Sequence, residues 1–464
     1  MENLHLILII AFLLLAIGIL TAALFYLNKM HNKVDSHTDE TDDEFKNILI
    51  FTPIILFSAI IIYMIARQNG VSGHVMEWFN LLVRWTHVII GIAWIGASFY
   101  FVFLENSLNR TKDLRDELVG NLWAVHGGGF YYVEKYKTAP KQLPDKLHWF
   151  KYEAYFTWIT GIMLLFIVFY FNAKEMLIDN SVTQLEPWQA ISIGIGTLAI
   201  GWIVYDLICQ SKLVQNGWLF ATFGFLFTTG LAFVLTSVLS SRGAYIHVGA
   251  FLGTLMAGNV FKAIIPAQKA LVAAVKEGKM PDPALGKHAG LRSLHNNYMT
   301  LPVVFIMISS HFPSTFGNQY NWAILAGLFL ASGLFRHYLN LKEKGKEANW
   351  IIPISTFIVF TLGYVTSPTY NNSDDDLIEN VMFSQVNQVM QLRCVSCHSA
   401  NPSDNTWKNA PNGVKFDTKE EILLKTEKIM ARVVTTKNMP LGNKTNMTEE
   451  ERLLVKSWLV QSND

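Results

Sequence analysis

Ten stretches of the chain are apolar for long enough to cross a lipid bilayer, and no other feature restricts the fold as strongly. A hydrocarbon core about 30 Å thick is spanned by about 20 mostly apolar residues in a helix. In lipid, moreover, every backbone amide must find its partner within the structure itself. The stretches cover residues 4–28, 48–66, 81–104, 153–171, 187–208, 218–240, 245–265, 298–313, 320–340 and 350–366. The eighth is the weakest, being short and containing Pro302. The seventh carries Gly249, Ala250, Gly253, Ala257 and Gly258, small residues that let neighbouring helices approach closely. These runs predict an all-α fold built on a polytopic transmembrane bundle of about 8–10 helices. Composition agrees, since 51% of the 464 residues are hydrophobic and 16% are charged, against about 25% charged in soluble domains. A formal net charge of +1 offers no basic excess to neutralise phosphates, which excludes a nucleic-acid partner.

The first run, Met1 to Asn28, is too long for a signal peptide and lacks a positive leading region, so it reads as a retained membrane helix. The acidic run from Asp35 to Glu44 reads as a solvated loop after it. Sidedness follows from the basic residues of the loops. Residues 105–152 hold Arg110, Lys112, Arg115, Lys135, Lys137, Lys141, Lys146 and Lys151, and residues 262–297 and 336–346 are similarly basic. Loops of the opposite set hold only Arg67, Lys174 and Arg242. The bias places the basic loops in the cytoplasm and the chain after residue 367 on the opposite, extracytoplasmic face, which in a bacterial inner membrane is the periplasmic one. Four divisions result: 1–47, an N-terminal helix and acidic loop; 48–366, a transmembrane catalytic domain; 367–376, a polar linker; and 377–464, a small soluble domain.

Within that last division stands Cys394-Val-Ser-Cys397-His398, the c-type haem attachment pattern. Two thiols at this spacing can add to the two vinyl groups of the porphyrin, and the adjacent His398 can reach the iron. Helices are predicted over 380–392 and 448–460, on either side of Lys437-Asn438-Met439-Pro440. Met439 in that loop suits a distal thioether ligand, with Met430 and Met447 as competitors. The reading is a class I cytochrome c domain with one covalent haem c. A zinc or redox pair is the alternative, but no second cysteine pair exists, because the remaining Cys209 lies alone in an apolar run. His/Met ligation raises the potential, which makes this haem an electron acceptor.

Ionisable residues inside spanning helices are costly and point to function. His87, His247 and His311 fall at one level, the extracytoplasmic one, and are candidate ligands of a second, membrane-embedded cofactor such as a haem b. Arg84 shares a helical face with His87, and Gly91, one turn below, leaves room for a ring system. A second group, at the cytoplasmic level, comprises Glu105, His126 in His126-Gly-Gly-Gly-Phe130, Glu153, Asn259 and His295-Asn296-Asn297. The glycines after His126 permit either close backbone approach to a ligand or a tight turn. Glu105 and Glu153 can equally be helix-end charges.

Four of these stretches together resemble a known family. They are Arg84-Trp-Thr-His87-Val-Ile-Ile-Gly91-Ile-Ala-Trp94-Ile-Gly96-Ala-Ser-Phe-Tyr100, His126-Gly-Gly-Gly-Phe-Tyr131, Glu153-Ala-Tyr-Phe-Thr-Trp158 and His295-Asn-Asn-Tyr-Met-Thr-Leu-Pro302. In combination they are similar to the membrane-bound urate oxidases (urate hydroxylases), in which a urate-oxidase N-terminal membrane domain of eight helices is fused to a cytochrome c. The resemblance implies oxidation of urate to 5-hydroxyisourate without peroxide. The electrons would pass to the chain's own haem and on to a cytochrome or terminal oxidase of the respiratory chain. A site for urate, a planar oxidisable anion, needs a cationic or amide clamp, aromatic surface and a base. Arg84, His87, His126, Glu153 and Asn297 are the candidates. Two other functions compete: a non-catalytic conduit from quinol to cytochrome c within an oxidase complex, and a transporter bearing a cytochrome. The conduit would need paired histidines for b haems, and the transporter would need internal inverted repeats.

Overall fold

A computed structural model describes residues 72–342, 344–367, 377–404, 407 and 409–462. The expected spans 4–28 and 48–66, and the whole division 1–47, lie outside the described residues. By contacts the chain forms two compact units, residues 1–78 with 144–148 and residues 79–143 with 149–464.

The described chain is mostly helical. Helix α1 covers Ser72–Asn106. After it a β-hairpin pairs β1 (Leu118–His126) with β2 (Gly129–Tyr136). The remaining bundle helices are α2 (Tyr152–Leu164, extended by a wider π-turn segment to Tyr170), α3 (Pro187–Gln210), α4 (Gly217–Thr236), α5 (Ser241–Asn259, continuing to Lys276), α6 (Pro283–Ser309), α7 (Asn321–Lys342) and α8 (Ile351–Val365). Six helices among the described residues are long and apolar enough to cross a membrane: α1 to α5 and α7. Helix α8 is shorter, and the expected span 298–313 is the apolar half of the longer α6, whose interior includes Pro302.

Local chemistry sets the helix starts. Asn216 Oδ1 accepts from the Leu219 amide at 3.1 Å at the head of α4. Ser240 Oγ does the same for Gly243 before α5, and Asp282 precedes α6, which begins on Pro283. Such caps satisfy amides that have no partner within the helix.

Helix α5 is the most buried span, packing against α2, α3, α4 and α6. Its small residues permit this. A Cβ on Gly249 would lie 2.4 Å from Ile306 of α6, and one on Gly258 would lie 2.4 Å from Trp202 of α3. Val248, Phe251, Leu252 and Leu255 from α5 join Leu325 and Ile306 in the main apolar core.

The hairpin departs from the all-α expectation, which read residues 105–152 as a loop. Aromatic and β-branched residues favour strands. Gly127 (φ +57°) and Gly128 (φ +80°) supply the two left-handed positions of a two-residue turn, the geometry that matches strand twist.

Residues 377–462 build a small helical module with its own core, in which Val386, Met390, Ile422, Val455, Trp458 and Leu459 are almost fully buried. Burying each such side chain contributes about 1.5–3 kcal/mol. The flanking helices are α9 (Phe383–Arg393) and α10 (Glu449–Gln461), the latter opened by a capping box between Thr448 and Glu451.

This module lies directly against the bundle. A Cβ on Gly442 (φ +58°) would meet the Ile178 carbonyl at 2.8 Å, and one on Gly317 would meet Thr436 Cβ at 2.6 Å. Lys444 bridges Glu175 of the bundle (3.0 Å) and Asp404 of the module (2.8 Å). The segments it touches, 174–178 and 317, are chain connections that the charge pattern put on the same side as the C-terminus.

Candidate functional site

One cavity of about 1600 Å³ runs from the C-terminal module into the bundle. At the module end it is lined by Cys394, Cys397, His398 and Met439. Further in it is lined by Arg84, His87 and Gly91 of α1, Thr157, Trp158 and Gly161 of α2, Gly249 and Gly253 of α5, and Thr300 and Met307 of α6, with His311 just beyond. Its wall is mainly apolar, so the few polar groups that face it stand out.

The module end fits a c-type haem. His398 Nδ1 lies 3.0 Å from the Val414 carbonyl. A carbonyl only accepts, so Nδ1 carries the proton and Nε2 keeps a lone pair for a metal. Burial, helped by the Arg432 charge, holds this imidazole below its ordinary pKa, in the neutral form that ligates. Both cysteines are free of disulfide. Burial lifts the Cys394 thiol to about 12, which disfavours the thiolate that a zinc or redox pair needs. Among the described residues no group of three or more His, Cys, Asp or Glu could hold a metal ion. Of the three methionines, Met430 and Met447 are buried in the module core, and Met439 alone lines the cavity. The Met439 loop is fixed from behind by Arg452, whose Nη1 donates to the carbonyls of Val433 (2.5 Å) and Met439 (2.7 Å).

Deeper in, His87 is held in one tautomer. Thr160 donates its hydroxyl proton to the Phe156 carbonyl at 2.7 Å. The 2.9 Å contact between Thr160 Oγ1 and His87 Nδ1 therefore has the imidazole as donor. Nε2 is left as an acceptor. Arg84 donates to the Asn80 side chain at 3.2 Å and has no ion pair among the described residues. Gly91 leaves ordinary contact distances of 4.0 Å to Met307 and Thr157. Gly161 lets His87 approach, since a Cβ there would lie 3.2 Å from its ring.

The three histidines expected to share a second cofactor are not brought together. His247 is fully buried; its Nδ1 donates to the Gly243 carbonyl at 2.7 Å and its Nε2 accepts from the Tyr170 hydroxyl at 3.1 Å. With both nitrogens used and no place in the cavity wall, it serves packing between α5 and the end of α2. A membrane haem would have only His87 and His311 of that set.

The other candidates also separate. His126 sits exposed at the hairpin tip, so the turn accounts for its three glycines. Glu105 ends α1 beside Arg110 and Lys135. Glu153 lies in the first turn of α2, with Oε2 buried and without a hydrogen-bond partner among the described residues. Asn297 is buried, accepting from Arg336 Nε at 2.8 Å and Asn340 Nδ2 at 2.9 Å.

Beside Asn297 lies a network whose members the sequence reading only partly named. Arg292 donates to Asp206 at 2.6 Å and to Asn259 at 3.1 Å. Asn259 donates to Asn296 and to the Tyr205 hydroxyl, both at 2.8 Å. That leaves the Tyr205 proton for His295 Nδ1, 2.8 Å away. Asp206 was visible as a carboxylate inside an apolar run; Arg292, assigned to a basic loop, lies in α6.

A protein-family model described as "Urate oxidase N-terminal" matches residues 73–367, more than half of the chain. No curated protein and no solved structure matches.

Proposed function

Because the chain belongs to the urate oxidase N-terminal family, we propose that it is an integral membrane enzyme that oxidises urate to 5-hydroxyisourate and gives the electrons to a haem c bound by its own C-terminal module. The observation that carries this reading is the continuous cavity: His398, Met439 and the two cysteines line one end, and Arg84 and His87 line the other. Urate plus water yields 5-hydroxyisourate, two protons and two electrons.

This chain's residues suit the binding and proton parts of that change. Arg84 offers an unpaired guanidinium to the urate anion, and charge-assisted bonds of this type are the strong ones. His87 Nε2, with its tautomer fixed by Thr160, accepts a proton as the purine is oxidised. Trp158, held by its indole N–H on Thr254 Oγ1 at 3.1 Å, gives the planar substrate an aromatic wall. Apolar groups such as Ile92, Val303 and Met307 limit water. Cys394 and Cys397 would hold the haem covalently and His398 with Met439 would ligate it; when bound, the group accepts one electron at a time. The apolar helices and the loop charges support an enzyme of a bacterial inner membrane with the module periplasmic, where a respiratory cytochrome or oxidase would take the electrons onward.

Anaerobic addition of urate to membranes holding the full chain tests this reading. The c-type absorption should become reduced, and Cys394→Ser with Cys397→Ser should abolish both covalent haem and the response. Reduction by quinol but not by urate would replace the reading with that of an electron conduit.

A further inference from the structure

The buried cations of the bundle are mostly committed. Arg292 is spent on Asp206 and Asn259, and Arg336 donates to Asn297. Arg242 is different. It is the second residue of α5, its guanidinium lies 5.3 Å from the Phe316 ring centre, and its buried Nε has no acceptor among the described residues. From the module, the helical turn Met430–Thr435, which carries Arg432, packs against the short helix Pro313–Phe316, whose Phe316 ring lies under Arg242. Neither arginine belongs to an ion pair among the described residues, and both line the cavity that contains His398 and Met439.

Two like charges brought together in a partly buried wall repel one another. The arrangement is stable when an anion completes it, and a planar guanidinium pair matches the two oxygens of a carboxylate. Because one arginine comes from the bundle and the other from the module, the anion must sit where the two parts meet.

We propose that Arg242 and Arg432 form one anion site, occupied by a carboxylate of the haem held at Cys394 and Cys397. This rests on the haem reading above. It adds that the membrane bundle, and not the module alone, fixes the electrostatics of the haem: neutralising that carboxylate favours the reduced iron. Urate is also an anion and shares this chemistry, and the test separates the two sources.

The experiment is a redox titration of the c-type absorption in membranes containing the full chain, with wild type, R242Q, R242K and R432Q compared at equal covalent haem content. R242Q and R432Q should each shift the reduction equilibrium about tenfold towards the oxidised form, which is about 59 mV for one electron. R242K, which keeps the charge, should recover most of the shift. An unchanged midpoint with half-saturating urate raised tenfold would assign the pair to substrate and overturn the proposal. An unchanged midpoint with unchanged half-saturation would show that no anion is held, and would overturn it as well. If R242Q does not accumulate, R432Q decides alone, since it lies on the module surface facing the cavity. Absence of covalent haem in wild type would instead remove the functional reading from which the proposal starts.

Discussion

Two levels of the same bundle use polar residues in opposite ways. At the level of Asp206, Arg292, Asn259, Tyr205 and His295, donors and acceptors are matched from one residue to the next. At the level nearest the C-terminal module, Arg84 and Arg242 lack ion pairs among the described residues and His87 keeps a free nitrogen, all lining one cavity. A satisfied buried network rigidifies the structure that contains it. Groups left with unused capacity beside a space are what a ligand would meet. Sequence alone makes both levels look equally functional, because both place ionisable residues in apolar segments. The difference between them is hydrogen-bond accounting, and it is the ground on which we propose the level beside the module as the site.

The contrast can be broken most decisively at His87. His87→Gln should lower urate turnover by at least about 10²-fold, the low end for loss of a proton acceptor, while thermal unfolding in detergent stays near wild type. A stability loss as large as the activity loss would move His87 to the structural group. Next in size, Arg292→Leu should cost about 3 kcal/mol, because it leaves Asp206 and Asn259 without their partner in a buried setting. Adding Asp206→Asn should recover part of that. An Arg292→Leu protein with unaltered unfolding but no turnover would reverse the assignment of the two levels.

A pair of glycines sharpens the comparison. A Cβ at Gly194 would lie 2.4 Å from His247 Nε2 and 2.8 Å from the Tyr170 hydroxyl, so Gly194→Ala should destabilise by about 1–3 kcal/mol through overpacking. Gly161→Ala only presses on the His87 ring at 3.2 Å. It should leave unfolding within about 1 kcal/mol of wild type and appear instead as a severalfold loss of turnover. Smallest of all, Lys444→Met should cost about 1 kcal/mol, the upper end for surface ion pairs, because the half-exposed ammonium serves both Glu175 and Asp404. High salt should erase the difference between this variant and wild type in thermal unfolding.

Six of the expected spans were readable because their signal is sheer length of apolar sequence. Where the reading failed, competing physics explains it. Residues 118–136 fall between two long apolar runs and so read as part of a loop, although Trp123, Val125, Tyr131, Tyr132 and Val133 favour a strand and His126-Gly-Gly-Gly supplies its turn. Asp282 and Pro283 open a helix that the charges of 262–297 had hidden. The Cys394–His398 motif was legible because its residues are adjacent in the sequence. The proposed deeper site was only half legible: Arg84 and His87 are one turn apart on α1, but Trp158 and Arg432 reach the cavity, and Thr160 reaches His87, from elements far away in the chain. His247 shows the limit clearly. Its depth in the membrane matched that of His87, and only its bonds to Gly243 and Tyr170 reveal a different use.

The close seat of Gly442 against the Ile178 carbonyl has a kinetic meaning. A diffusing acceptor must find its donor anew for each electron, at a rate set by its concentration. An acceptor carried on the same chain meets the donor at an effective concentration fixed by the tether, and here a side chain as small as a methyl would already wedge the two apart. On the proposed function, urate consumption should then track how quickly the next carrier in line unloads the tail, since two departing electrons would share one waiting place.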